Sequence, residues 1–278
     1  VAGLSDMLPL AATDRSLALS VEGLTYAFEE GAPLFKGLGF DIREGEFVSF
    51  LAPSGMGKTT LFRLLAGLLS PQAGSVRLGT SEGETLGTRS SRSGRIGYMP
   101  QRDSLMPWRS VLDNAALGLE LAGIRKREAR QRVLELLPAF GLAGTEEKRP
   151  HELSGGMRQR VSFLRSMLGG GNLLLLDEPF SALDAMTRIS MQEWLLQVWE
   201  QHRKTILFIT HDIDEALLLS DRVLIATESP VSSLRELAIS LPRPRTYHTV
   251  LEDSFAELKR QTLELLGRGT GGMGETGQ

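Results

Sequence analysis

The sequence predicts an α/β fold built on a mostly parallel sheet with helices on both faces. Three observations predict it. Short apolar runs at residues 46–51 (EFVSFL), 173–176 (LLLL) and 205–210 (TILFIT) have the length and composition of buried strands. Stretches of helical spacing separate these runs, as crossover connections between parallel strands require. The segments rich in chemistry-bearing residues follow the strands directly, and ligands of such sheets sit beyond the carboxyl ends of the strands.

The elements follow in order. Residues 1–16 read as a loose leader. Residues 17–21 and 40–42 open strands, and 46–51 form the first buried one. Leu61, Leu64, Leu65, Leu68 and Leu69 then recur at helical spacing, with Pro71 and Gly74 as the stop. Residues 79–95 are polar and rich in Gly and Ser, which predicts a hairpin and loop. Residues 111–142 read as mainly helical, with Val133, Leu136 and Leu137 as the apolar stripe and 125–132 as the charged face. From Leu153 the chain runs loop, helix (Met157, Val161, Leu164, Leu168 on one face) and strand 173–176. Strand 205–210, a helix over 215–219 and a short strand over 223–226 complete the sheet. From Gly267 onward Gly alternates with polar residues, the composition of a disordered tail. No role emerges for the segment 241–245 (LPRPR).

Composition narrows the function classes. The 278 residues are 41% hydrophobic and 23% charged with net charge −3, so a sizeable core is expected and the basic balance of a nucleic-acid binder is lacking. With no cysteine there is neither disulfide nor thiolate metal site in this sequence. No apolar run approaches the ~20 residues that cross a bilayer, and the N-terminus lacks the pattern of a secretory signal. Any membrane segment must come from other chains.

Residues 52–60 read A-P-S-G-M-G-K-T-T between a strand and a helix, the context of a phosphate-binding loop. The backbone N–H groups of Pro53–Thr60 other than Pro53 itself, through Ser54, Gly55, Met56, Gly57, Lys58, Thr59 and Thr60, would cradle phosphates at a helix N-terminus. Lys58 would reach the β- and γ-phosphates of a nucleotide, and Thr59 would coordinate Mg²⁺. Ala52 stands where the pattern has its first glycine. If that position needs a positive φ, alanine costs about 1 kcal/mol.

The strand 173–176 ends in Asp177 and Glu178. A carboxylate at that strand end lies beside the phosphate loop. Asp177 is placed to hold Mg²⁺, and Glu178 to polarise an attacking water as general base. Residues 153–160 read L-S-G-G-M-R-Q-R. Ser154 is a helix N-cap candidate, and Gly155 and Gly156 allow an anion close to the backbone.

With these motifs in this order, the chain over roughly residues 17–227 resembles the ABC transporter ATPases. The resemblance implies a P-loop NTPase (RecA-like) core, an antiparallel β subdomain and a helical subdomain inserted at about 102–165. It divides the chain into the leader 1–16, an ATPase domain 17–248 and a C-terminal helix and flexible tail 249–278. LSGGMRQR is similar to the family's signature motif. In that family two subunits face each other head to tail, so Ser154, Gly155 and Gly156 would contact the γ-phosphate held by Lys58 of the opposite subunit. Gln101, in Y-M-P-Q-R, resembles the Q-loop glutamine that senses Mg²⁺ and the γ-phosphate. Residues 181–184 (SALD) resemble the D-loop and bring Asp184 to the dimer interface. His211, in I-T-H-D, resembles the switch histidine. Phe28 resembles the aromatic that stacks on adenine, with Tyr26 as the other choice.

Residues 105–108 (LMPW), with Val111 and Asn114, are similar to the importer branch for nitrate, sulfonates, taurine and pyrimidine vitamin precursors. The implied cofactors are ATP and Mg²⁺. The implied partners are a second ATPase subunit, membrane-spanning permease subunits and, indirectly, a solute-binding protein, with no nucleic acid. The implied place is the cytoplasmic face of the membrane. Met106, Pro107 and Trp108 would line a groove for the permease, unless Trp108 is core. Two other readings stay open: a nucleotide-driven ABC clamp, and a regulatory subunit without transport.

Overall fold

The computed structural model describes residues 16–29, 31–79, 85–86 and 95–270. Most of the leader, most of the loop after Gly79 and the end of the tail lie outside the described residues.

Two sheets organise the chain. The smaller is antiparallel, in the order β2-β1-β4-β5. It comprises β1 (Leu17–Ala27), β2 (Pro33–Arg43), β4 (Ala73–Gly79) and β5 (Thr85–Leu86). The larger has the order β10-β9-β3-β8-β7-β6. Its members are β3 (Phe47–Leu51), β6 (Ile96–Met99), β7 (Leu173–Asp177), β8 (Thr205–Thr210), β9 (Arg222–Ile225) and β10 (Arg235–Ala238). All its pairings are parallel except β9 with β10. The predicted mostly parallel sheet is therefore present, and a separate antiparallel sheet beside it.

Register fixes where the chemistry lies. Leu51 at the end of β3 is level with Thr210 at the end of β8, and Asp177 at the end of β7 is level with Ile209. Three chain exits thus meet on one sheet edge: the phosphate loop, Glu178 and His211.

Alternation in these strands builds two apolar layers. Phe47, Leu51, Leu174, Leu176, Ile206 and Phe208 face one core, and Val48, Phe50, Leu173, Leu175, Leu207 and Ile209 face the other. The second core is closed by the antiparallel sheet and α1 (Lys58–Leu65). The first is closed by α2 (Val111–Leu121), α3 (Lys126–Leu136), α4 (Gly155–Gly169), α5 (Ala185–His202) and α6 (Ile213–Leu219), with Phe255 and Leu258 from α7 (Asp253–Thr270). Helix α2 crosses α4 at Gly118 and Gly169. A Cβ added at Gly118 would stand 2.3 Å from the Gly169 Cα, so this approach requires glycine.

Several boundaries differ from the sequence reading. Helix α1 ends at Leu65, before Leu68 and Leu69, because Gly67 takes φ +75° and the N–H groups of Leu68 and Leu69 turn back to the Arg63 carbonyl. The stretch 111–142 is mainly helical as expected, divided at Gly123, φ +87°, into α2 and α3. Residues 267–270, placed in the tail by composition, continue α7. Strands β4 and β10 carry too few apolar residues, and β6 is too short, to announce themselves.

The segment 241–245 acquires a structural role. Arg245 is buried and donates to the carbonyls of Leu217, Leu218 and Ser220 at the C-terminus of α6, at 3.3, 3.2 and 2.6 Å. It donates also to Leu241 O. A cation there satisfies the helix's last carbonyls and opposes its dipole. Burial lowers the Arg245 pKa to about 10, which leaves the guanidinium charged at neutral pH. Arg243 stacks over Trp199, 4.1 Å from the ring centroid, and pairs with Asp221 at 2.8 Å.

Candidate functional site: a phosphate loop facing an acidic strand end

The phosphate loop turns on its glycines. Gly55 and Gly57 take φ +87° and +77°. Open space surrounds Gly55, whereas a Cβ at Gly57 would meet Leu34 Cδ1 at 3.1 Å and Phe35 Cζ at 3.2 Å. Gly57 is thus needed for conformation and for clearance, and Gly55 for conformation. Ala52 is buried and does not adopt a positive φ, so alanine there carries no backbone strain. The first glycine of the motif is dispensable in this chain.

Lys58, in the first turn of α1, is buried and turned back into the loop. Its Nζ donates to Ala52 O at 3.0 Å and pairs with Glu178 Oε1 at 3.1 Å. The other Glu178 oxygen faces His211 Nδ1 at 3.2 Å and accepts from Gln101 Nε2 at 3.4 Å. Gln101 Nε2 also donates to Ser181 Oγ at 3.3 Å. Three residues singled out from three separate motifs therefore converge on the carboxylate of a fourth, Glu178. Glu178 itself holds φ +43°, a rare backbone state for a non-glycine residue. Its N–H donates to Ile209 O at 3.0 Å, which fixes that turn to the neighbouring strand.

Asp177 is 2% exposed. Burial pushes its pKa up; the Thr59 hydroxyl, donating to the carboxylate, opposes the shift, and the neighbouring Glu178 charge adds to it. Tyr98, which sequence reasoning passed over, reaches Asp177 Oδ2 at 3.4 Å. Burial first, and the Asp177 charge second, raise the Tyr98 pKa to about 12, so its phenol stays a donor. The only signal for it was its place in the short strand before Gln101.

These residues fit the two implied ligands. Backbone N–H groups at a helix N-terminus with a buried lysine suit a phosphate chain. A hydroxyl and a carboxylate in contact, both hard oxygen donors, suit Mg²⁺, which is held by one or two carboxylates together with substrate phosphates. Among the described residues no group of His, Cys, Asp and Glu forms a self-sufficient metal cage.

A second group forms around the signature. Ser154 caps α4, accepting from Met157 N at 3.3 Å, and Asp184 caps α5, accepting from Thr187 N at 3.1 Å. A Cβ at Gly155 would lie 3.3 Å from Leu183, and one at Gly156 3.1 Å from Thr187, so signature and D-loop pack together. Arg158 of the signature pairs with Asp103 at 3.1 Å, and Arg165 donates to Asp103 O and Ser104 O at 2.8 Å each. The loop after Gln101 is thereby tied to α4. Phe28 follows β1, is 52% exposed, and meets Tyr26 edge-on at 5.3 Å between ring centroids. Trp108 is 70% exposed and is not core. Asn114 is buried and bonded to Met106, Arg109 and Ser110, which holds the loop that presents Trp108.

The family described as ABC transporter matches residues 35–181. The chain belongs to the ABC transporter family. It is 42% identical over 250 residues to the formylaminopyrimidine import ATP-binding protein of Halalkalibacterium halodurans, covering 89% of this chain and 96% of that one. It is 46% identical over 229 residues to an aliphatic sulfonates import ATP-binding protein of Rhodococcus jostii, covering 82% and 86%. The taurine import ATP-binding protein of Yersinia pestis is 42% identical over 222 residues, covering 80% and 84%. Among solved structures, a dimeric ATP-binding cassette in a post-hydrolysis state bound to ADP and Pi superposes with TM-score 0.66 at 28% identity, covering 81% of this chain and 100% of that one. The cassette cbiO1 of Clostridium perfringens superposes with TM-score 0.70 at 25% identity, covering 91% and 98%. The ABC chain described here is an ATP-binding, ATP-hydrolysing subunit of the import type, with a P-loop NTPase fold.

Proposed function

We propose that this ABC subunit works as a head-to-tail dimer beneath membrane-spanning permease subunits and powers uptake of a small solute. The observation that carries the proposal is the convergence of Lys58, His211 and Gln101 on Glu178 beside Asp177. The solute class is that of the relatives named above, a sulfonate, taurine or a formylaminopyrimidine, with nitrate added by the sequence resemblance alone. A solute-binding protein would deliver it to the permease. Among the described residues no helix is long and apolar enough to cross a membrane. That supports a peripheral subunit, which we place at the cytoplasmic face.

A bound Mg²⁺ would supply positive charge to offset that of the nucleotide phosphates. Asp177 and Thr59 would hold it, and Gln101 is proposed to contribute to the same site. The N–H groups from Ser54 to Thr60 orient the phosphates, and Lys58 exchanges Glu178 for the γ-phosphate. Glu178, released from Lys58, accepts a proton from water. His211 holds the γ-phosphate in line, and Ser154, Gly155 and Gly156 of the opposite subunit close the site, with Asp184 at the same interface. Phe28 stacks on adenine. Exposed Trp108, with Met106 and Pro107, meets the permease.

ATPase assays with Mg²⁺ and sizing chromatography in ATP test this. Wild type should hydrolyse ATP; Glu178→Gln should bind ATP, turn over about 10²-fold or more slowly, and elute as a dimer. Wild-type turnover in the variant would remove Glu178 as the base.

A further inference from the structure

The switch histidine stands between two residues whose polar groups are fixed from beneath. Thr210 Oγ1 donates to Glu215 Oε2 at 2.7 Å and accepts from Asp212 N at 3.0 Å. Gln192 Nε2, on α5, donates to Glu215 Oε1 at 3.0 Å. Thr210, Glu215 and Gln192 are all buried. A buried carboxylate is costly and is retained only where its hydrogen bonds matter. Helix capping does not account for this one, because Asp212 already accepts from the N–H groups of Asp214 and Glu215. The Glu178 carboxylate meets Lys58, His211 and Gln101, and Glu215 belongs to a different set of contacts.

We propose that Gln192, Glu215 and Thr210 form a positioning relay that sets the direction of His211. The relay ends on the amide just after His211 and on the side chain just before it. Rotation of the His211 backbone would break the Asp212–Thr210 bond and leave the Asp212 N–H without its acceptor, while Gln192 and Glu215 keep the Thr210 hydroxyl in place. The imidazole is therefore held toward Glu178 by buried residues beneath it. Through Gln192 the orientation is tied to α5, the helix that starts at the D-loop residue Asp184. This inference rests on the proposed role of His211 at the γ-phosphate.

The test uses Thr210→Val, which keeps shape and removes the hydroxyl, Thr210→Ser, which restores it, and Gln192→Leu, which acts from another helix. Steady-state ATPase kinetics, thermal melts and ¹³C-histidine NMR are read on each. The sequence holds four histidines, and the His211 signal is assigned by its loss in His211→Ala. Thr210→Val should lower kcat about tenfold to a hundredfold with KM for ATP nearly unchanged. The His211 signal should broaden or split while those of His151, His202 and His248 stay in place. Thr210→Ser should restore both readouts, and Gln192→Leu should reproduce the defect in weaker form. A wild-type kcat and His211 signal in Thr210→Val would overturn the relay. So would a loss in which all four signals move and serine does not rescue. If wild type hydrolyses no ATP, the functional reading fails, yet the His211 signal still decides whether the relay exists.

Discussion

Asp177 illustrates how one side chain is set against the stability of its own fold. Its pKa is raised by burial, so the folded state binds its proton more tightly than the unfolded chain does. The stability it contributes is fully present below the ordinary Asp value of about 4 and is lost as pH rises through the higher folded value. Asp177→Asn removes that titration. In chelator, the variant should melt above wild type at neutral pH, with the gap closing as pH falls toward about 4. Mg²⁺ with ATP should raise the wild-type melting temperature and do less for the variant. Equal melting curves at pH 7 in chelator would contradict the burial argument. Ala52 gives the opposite lesson. Its backbone needs no glycine, so Ala52→Gly should leave kcat unchanged and cost about 0.4–1 kcal/mol in chemical denaturation, through the freer unfolded chain. Lys58, Asp177, Glu178 and His211 were legible because strand-to-loop motifs advertise them. Tyr98, Thr210 and Glu215 were not, since each matters only through a partner distant in sequence or hidden beneath the surface.

The elements show what periodicity sees and what it misses. Fully buried strands with four apolar residues each, β3, β7 and β8, were readable from composition. Strands β4 and β10 were not: β4 sends only Val76 and Leu78 into the core, between exposed and half-buried positions, and β10 is exposed or half-buried throughout. Helix ends were set by single glycines in the left-handed region, at Gly67 and Gly123, which sequence alone does not rank against other glycines. The α2–α4 crossing is a contact of the same kind. Gly118→Ala would press a methyl against the Gly169 backbone, and helices this close cannot separate without opening the layer between them. Despite alanine's better helix propensity, the variant should lose about 1–3 kcal/mol by chemical denaturation. A gain in stability would mean that the two helices are free to part.

At the scale of the whole molecule, the sheet registers and the two apolar layers serve one outcome: three strand ends level on one edge. That edge gathers residues far apart in sequence, and the ion pair between Lys58 and Glu178 lies at its centre. A lysine already paired with a carboxylate is no bare cation awaiting an anion. When a nucleotide arrives, one counter-ion replaces another, and the field that mobile ions can screen changes little. The affinity for ATP should then depend only weakly on ionic strength, and Glu178→Gln, which leaves Lys58 with a neutral neighbour, should make that dependence steeper. Titrations at low and high salt on both proteins would show it: the carboxylate proposed as base would also buffer the phosphate loop against the surrounding electrolyte.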